Sequence, residues 1–192
     1  MNPLSILQLA LSTHFNSFNS FKMTQPQYVP PLNFSLVEDS IYRSGHPMPI
    51  NFPFLETLNL QTVIYLGDKT DNLEYYEFLS QRGINFIYIP MKSSSEPFTM
   101  NDPHAIHQAL KIILNSKNHP VLIHSNKGKH RVGVLVGIMR KLLQGWSITG
   151  IFTEYDKFAG GKGDSDVEFI ESFEPRGLIV DKSNLPSFVR LG

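Results

Sequence analysis

An α/β fold with a short, largely parallel central sheet covered by helices is what the sequence predicts, on three observations. Apolar runs of strand length alternate with longer stretches whose apolar residues recur at helical spacing. The helical stretches carry their own start and stop residues. The apolar run at 120–123 ends in a basic, glycine-containing octapeptide that leads directly into a long apolar helical stretch, a strand-to-helix turn.

The foldable chain begins at Gln25, and residues 25–192 read as a single domain. Residues 1–24 read as a disordered tail or as sequence upstream of the usual start, with Met23 as the first residue in the second case. Up to position 22 this segment holds no acid and only Lys22 as a formal cation, so neither a secretory signal nor a mitochondrial presequence is well satisfied. Within the domain, 41–43 is a strand, 52–58 a short helix and 62–66 a buried strand. Leu73, Tyr76 and Leu79 mark a helix over 73–81 that Gly83 closes, and 86–89 is the next strand.

Ile106, Leu110, Ile113 and Leu114 share one face of an amphipathic helix over 103–116, with Asp102 as its cap and Pro103 in its first turn. The strand at 120–123 and a helix over 132–143 follow, and Trp146 beside Gly145 anchors the next turn. Ser147 caps a helix over 148–158 that Gly160 and Gly161 end. Ser165 and Glu168 have the spacing of a capping box before a last helix that carries Phe169, Ile170 and Phe173. Phe152, Tyr155, Phe158, Phe169 and Phe173 recur at helical spacing and read as core. In the irregular tail from Pro175, Leu178, Ile179, Val180, Phe188 and Val189 are placed to dock on the domain or on a partner.

The chemistry concentrates in His124-Ser125-Asn126-Lys127-Gly128-Lys129-His130-Arg131. A turn between a strand and a helix N-terminus directs backbone N–H groups inward, and those donors, the helix dipole and a bidentate guanidinium from Arg131 make a nest for a tetrahedral dianion. Gly128 supplies a backbone angle that side chains resist. Four basic residues with no acid among them raise the local potential for an anionic ligand. Ser125, Asn126, Lys127, Gly128, Lys129, His130 and Arg131 are therefore the candidate phosphate-binding residues.

Composition narrows the function classes. With 17 basic and 17 acidic residues the formal charge is zero, which argues against broad attraction to nucleic acid or to membranes. No apolar run approaches the roughly 20 residues of a membrane span. The absence of cysteine excludes disulfides and any thiol switch within the chain. Nothing in the sequence calls for a cofactor or a metal.

The octapeptide resembles the His-Cys-x5-Arg loop of protein tyrosine phosphatases, with Ser125 at the position of the nucleophilic cysteine. More narrowly, the chain is similar to the plant and fungal atypical dual-specificity phosphatases from Val29 to about Phe173, through Tyr42-Arg43-Ser44-Gly45, Val63-Ile64-Tyr65-Leu66 and Glu96-Pro97-Phe98. The form Ser125-Asn126-Lys127-Gly128-Lys129-His130-Arg131-Val132 looks most like the fungal tyrosine-phosphatase-like Oca group, associated with oxidant-induced cell-cycle arrest. The resemblance implies a cytoplasmic phosphatase fold and, for active members, inositol pyrophosphate substrates. It also implies action through related phosphatase-family proteins in a hetero-oligomer, so that any link to oxidants runs through partners.

Departures from the family pattern weigh against ordinary turnover. A thiolate forms readily at a helix N-terminus, whereas an alkyl hydroxyl stays neutral at pH 7 without an adjacent base. His124 is the nearest candidate for that base, although strand alternation turns it away from the loop and the resemblance gives it a structural role in hydrogen-bonding the loop. Val132 stands where active members carry a hydroxyl. Glu96 is the possible general acid and Asp102 the second candidate, better read as a cap. Asp164, after the segment that follows Phe158, lies either in the pocket, where it would repel phosphate, or outside it. The expectation is thus a catalytically impaired, phosphoanion-binding phosphatase-like protein, with a genuine phosphohydrolase of phosphoprotein or inositol pyrophosphate as the alternative.

Overall fold

Strand β5 (Val121–His124), buried along its whole length, is the centre of the sheet in a computed structural model that describes residues 27–92, 102–161 and 163–190. It lies parallel between β2 (Ile41–Ser44) and β3 (Thr62–Tyr65), with Ser44 and Tyr65 both in register with His124. Beyond β3 runs β4 (Asn85–Tyr88), also parallel, and beyond β2 lies β1 (Ser35–Glu38), antiparallel, giving the order β1-β2-β5-β3-β4. The sheet is therefore parallel except at one edge. The sequence reading omitted β1, whose pairing with β2 is interrupted by an irregularity between Leu36 and Glu38.

Six helices among the described residues cover this sheet: α1 (Phe52–Glu56), α2 (Leu73–Gln81), α3 (Pro103–Ile113), α4 (His130–Gln144), α5 (Ile148–Ala159) and α6 (Asp164–Ser172). Helix α4 is the spine. Its buried residues run without a break from Arg131 to Arg140, because α3, α5 and α6 pack around it and it covers the sheet. The larger core joins α4 to Ile64, Ile123, Ile106, Leu110, Ile151 and Ile170. A smaller cluster on the other sheet face joins Val63 and Leu122 to Leu55, Tyr75, Phe78 and Leu79.

Local signals set most of the boundaries. The Asp102 carboxylate accepts from the His104 N–H at 2.9 Å, and the Ser147 hydroxyl accepts from Gly150 N–H at 3.2 Å, so both act as helix caps. Gly145 and Gly160 close α4 and α5 in the left-handed conformation. Trp146 is partly exposed and lies against the Arg140 guanidinium, 4.3 Å from its ring centroid. The capping box read at Ser165 does not form. Helix α6 starts two residues earlier, with Gly163 as its cap, and turns Asp166 into the interior. In the tail, Leu178, Val180, Leu185, Phe188 and Val189 pack on the core, and the Arg190 N–H donates to the Leu143 carbonyl at 2.8 Å. Ile179 points to solvent. No helix among the described residues is long and apolar enough to cross a membrane.

Candidate anion site

Ser125 to Lys129 form the turn between β5 and α4, and His130 and Arg131 open the helix. Every peptide carbonyl from Asn126 to Lys129 is drawn to the outside of this turn. The Asn126 carbonyl accepts from the His46 N–H at 3.2 Å, and the Lys127 carbonyl from the Asn33 side-chain amide at 2.7 Å. The Arg43 guanidinium, reaching up from β2, donates through Nη2 to the Gly128 carbonyl at 2.9 Å and to that of Lys129 at 3.5 Å. A loop whose carbonyls face outward turns its N–H groups toward the centre, which is the arrangement that holds a tetrahedral anion. Gly128 has φ +68°, and a Cβ there would lie 2.4 Å from the Ser44 carbonyl carbon, so the turn has no room for a side chain.

Ser125 is almost fully buried, and its hydroxyl accepts the Gly128 N–H at 3.1 Å. The His124 ring faces away from the cradle, fully buried, with Nε2 3.0 Å from the Tyr75 hydroxyl and its plane stacked on Tyr65. Burial holds its pKa well below the usual histidine value. Its hydrogen bond goes to Tyr75 and its Nδ1 has no partner among the described residues, so it does not brace the loop as the resemblance implied. Val132 is buried in the larger core. Glu96 lies outside the described residues.

Asn126, Lys127, Lys129, His130 and Arg131, together with Ser125, Ala159 and Gly160, line a cleft of about 480 Å³. Six of the seven predicted phosphate-binding residues thus meet around one cavity, and Gly128 lies in the turn against the Ser44 backbone instead of lining it. Asp164 is exposed at the start of α6 and is not among the residues lining that cleft.

Four further residues shape the site, and the sequence reading gave none of them a role there. Asp68, in the loop after β3, forms two parallel hydrogen bonds with Arg131, at 3.1 and 3.2 Å, and accepts from the Asn126 side-chain amide at 3.0 Å. Arg131 holds its carboxyl below the usual carboxylate range. The Tyr65 hydroxyl lies 2.5 Å from the Asp68 carbonyl and 2.9 Å from the Asn126 amide oxygen, tying the same loop to the cradle. On the opposite wall the Tyr155 hydroxyl sits between Asp166, at 2.5 Å, and His130 Nδ1, at 2.9 Å. Arg43 completes the set. Its guanidinium is 1% exposed, Phe158 covers it at 3.6 Å, and burial lowers its pKa to about 10, so it remains a cation at neutral pH. Arg43 and Tyr65 left a trace in the sequence, within Tyr42-Arg43-Ser44-Gly45 and Val63-Ile64-Tyr65-Leu66, and Tyr155 was read as core; Asp68 left none.

Comparison with known proteins agrees with this geometry. The chain is 48% identical over 170 residues to the tyrosine-protein phosphatase-like protein OCA2 of Saccharomyces cerevisiae, covering 85% of this chain and 84% of that protein. It is 43% identical over 152 residues to the inositol diphosphatase DSP4 of Arabidopsis thaliana, covering 79% and 76% of the two chains. The crystal structure of the core catalytic domain of the PP-IP phosphatase SIW14 from S. cerevisiae, in complex with citrate, superposes with a TM-score of 0.73 at 40% identity, covering 79% of this chain and 91% of that one. The tyrosine phosphatase family profile matches residues 28–190, and the chain belongs to that family.

Proposed function

We propose that this protein takes up a phosphoanion of the inositol pyrophosphate class in the cradle from Ser125 to Arg131. The observation that carries this reading is the outward tethering of all four carbonyls from Asn126 to Lys129 beside the Arg131 guanidinium, a cradle that does not need sulfur to hold its shape. The names of the relatives, an inositol diphosphatase and a PP-IP phosphatase, support the ligand class.

Two readings follow for what happens to the bound anion. Hydrolysis is favoured by those relatives. Capture without thiolate turnover is favoured by the chemistry at three positions: Ser125 is a hydroxyl where the family uses a thiol, His124 is engaged with Tyr75 and held neutral, and Val132 offers no hydroxyl. Loss of the thiolate removes a negative charge from the cradle, so ground-state binding survives while covalent catalysis is lost. In the second reading the protein acts through related phosphatase-family proteins in a hetero-oligomer.

The deciding measurement follows phosphate release from an inositol pyrophosphate and from an aryl phosphate, together with calorimetric binding. It compares the natural chain, Arg131→Ala and the double variant Ser125→Cys/Val132→Thr. Turnover by the natural chain that disappears in Arg131→Ala supports hydrolysis. Binding without turnover, with turnover appearing in the double variant, supports capture. Failure to bind either compound overturns the proposal. Co-purification with a catalytically active family member tests the association.

A further inference from the structure

Behind the cleft, the His130, Tyr155 and Asp166 side chains form a chain of polar contacts that phosphoanion binding by backbone and Arg131 does not use. His130 opens α4 and lines the cleft with its ring about one-third exposed. Tyr155 comes from α5 and Asp166 from α6, the latter 1% exposed. The Tyr155 oxygen is 2.5 Å from Asp166 Oδ2, and His130 Nδ1 is 2.9 Å from the Tyr155 oxygen and 3.3 Å from the same carboxylate oxygen.

Donor bookkeeping fixes the protons. A tyrosine hydroxyl has one hydrogen, and a carboxylate only accepts. Burial and the adjoining carboxylate push the Tyr155 phenol far above its ordinary pKa, so it keeps that hydrogen. The short contact to Asp166 takes the phenol hydrogen, and the Tyr155 oxygen is then an acceptor toward His130. Both groups facing His130 Nδ1 are acceptors, so Nδ1 carries a hydrogen. In a neutral imidazole this leaves Nε2 bare, and the ring's second proton can be added only there.

We propose that Asp166 and Tyr155 are positioning residues that fix the Nδ1–H tautomer of His130 and present its Nε2 to the cleft, where the protonated ring donates a charge-assisted hydrogen bond to an oxygen of the bound phosphoanion. The proposal rests on the cradle being a phosphoanion site. It adds a ligand contact that responds to pH and that the eight-residue loop alone does not specify. The charged groups around the ring are Asp166 on α6, Lys129 and Arg131 beside it in the cleft and the buried Arg43 on β2. Asp68 offsets Arg131 on the far side of the cleft.

Two measurements test the proposal on the full chain. Imidazole nitrogen–proton correlation NMR of the free protein reads the tautomer directly. The expected result is Nδ1–H for His130 above its pKa, lost to a mixture in Asp166→Asn and Tyr155→Phe. A dominant Nε2–H tautomer in the natural chain overturns the proposal. Sulfate, a dianion throughout the range, is then titrated from pH 8 to pH 5.5. Its affinity is expected to rise about tenfold on protonation of His130, the size of one charge-assisted hydrogen bond. His130→Asn should flatten the profile, and Asp166→Asn should reduce the gain in affinity across it.

A flat profile in the natural chain, with sulfate binding still abolished by Arg131→Ala, overturns this proposal and leaves the cradle reading intact. Absence of any binding of sulfate or of inositol pyrophosphate overturns both. Thermal unfolding of each variant separates loss of the contact from loss of the fold.

Discussion

Arg43 holds the Gly128 carbonyl at 2.9 Å from a guanidinium that is itself buried, so the second strand of the sheet fixes the shape of a loop that follows the fifth. Two of the guanidinium nitrogens, Nε and Nη1, are buried without a partner among the described residues, an arrangement that persists only where the remaining contacts outweigh it. Replacing Arg43 by Met keeps most of the packing under Phe158 and removes the donor. Anion affinity is expected to fall about tenfold, since the Gly128 carbonyl is freed to turn inward while that of Lys129 stays held by the Gly133 N–H, and calorimetry with phosphate checks it.

Gly128→Ala tests the turn itself. The left-handed φ costs about 1 kcal/mol for a side-chain-bearing residue, and the clash with Ser44 lies against backbone that cannot swing away. Unfolding in urea should show a loss of at least about 2 kcal/mol, and phosphate binding should disappear before the fold does.

The Asp68–Arg131 pair predicts the opposite sign. The Asp68 side chain is 72% exposed, so the pair contributes little to stability, but its charge sits on the residue that is to meet the ligand. Asp68→Asn removes a repulsive charge and frees part of the guanidinium. Phosphate should bind several-fold more tightly, with a melting temperature nearly unchanged. Weaker binding would instead make Asp68 a brace for Arg131.

His124 predicts a pH dependence of stability. Its folded pKa is held far below the ordinary value, so below pH about 6.5 the unfolded chain takes up a proton that the folded chain refuses. Stability is therefore full above that pH and falls as the pH drops, by up to about 1.4 kcal/mol per unit for one such group. His46, lowered by burial as well, adds in the same direction. Melting temperatures between pH 8 and pH 5 should show the fall, and His124→Gln should reduce its slope.

What was legible in the sequence was local or contiguous. The helix over 73–81, the Asp102 and Ser147 caps and the glycine ends follow from short-range backbone chemistry, and the cradle lies in one octapeptide. Strand β1 was missed because four residues of which only Val37 is buried, with an interrupted register, carry almost no periodic signal. Asp166 was given no role of its own within the capping-box spacing of Ser165 and Glu168, since nothing near it in sequence announces that Tyr155 will draw it inward. Asp68 and Arg43 reach the loop across 63 and 85 positions of chain, to Arg131 and Gly128, and only the strand order brings them there. The partners of the cradle are topological facts, which a linear reading does not contain.

That strand order also bears on how the molecule is made. β2 and β3 each pair with β5 and not with each other, so a ribosome must deliver residues 121–124 before the two halves of the sheet can join. A nascent chain paused earlier offers two unpaired strand edges and an apolar face that α4 has yet to cover, the kind of surface that chaperones bind. The anion cradle thus takes shape only after β5 and the start of α4 have been made, and a phosphoanion ligand can stabilise only chains that extend past Arg131.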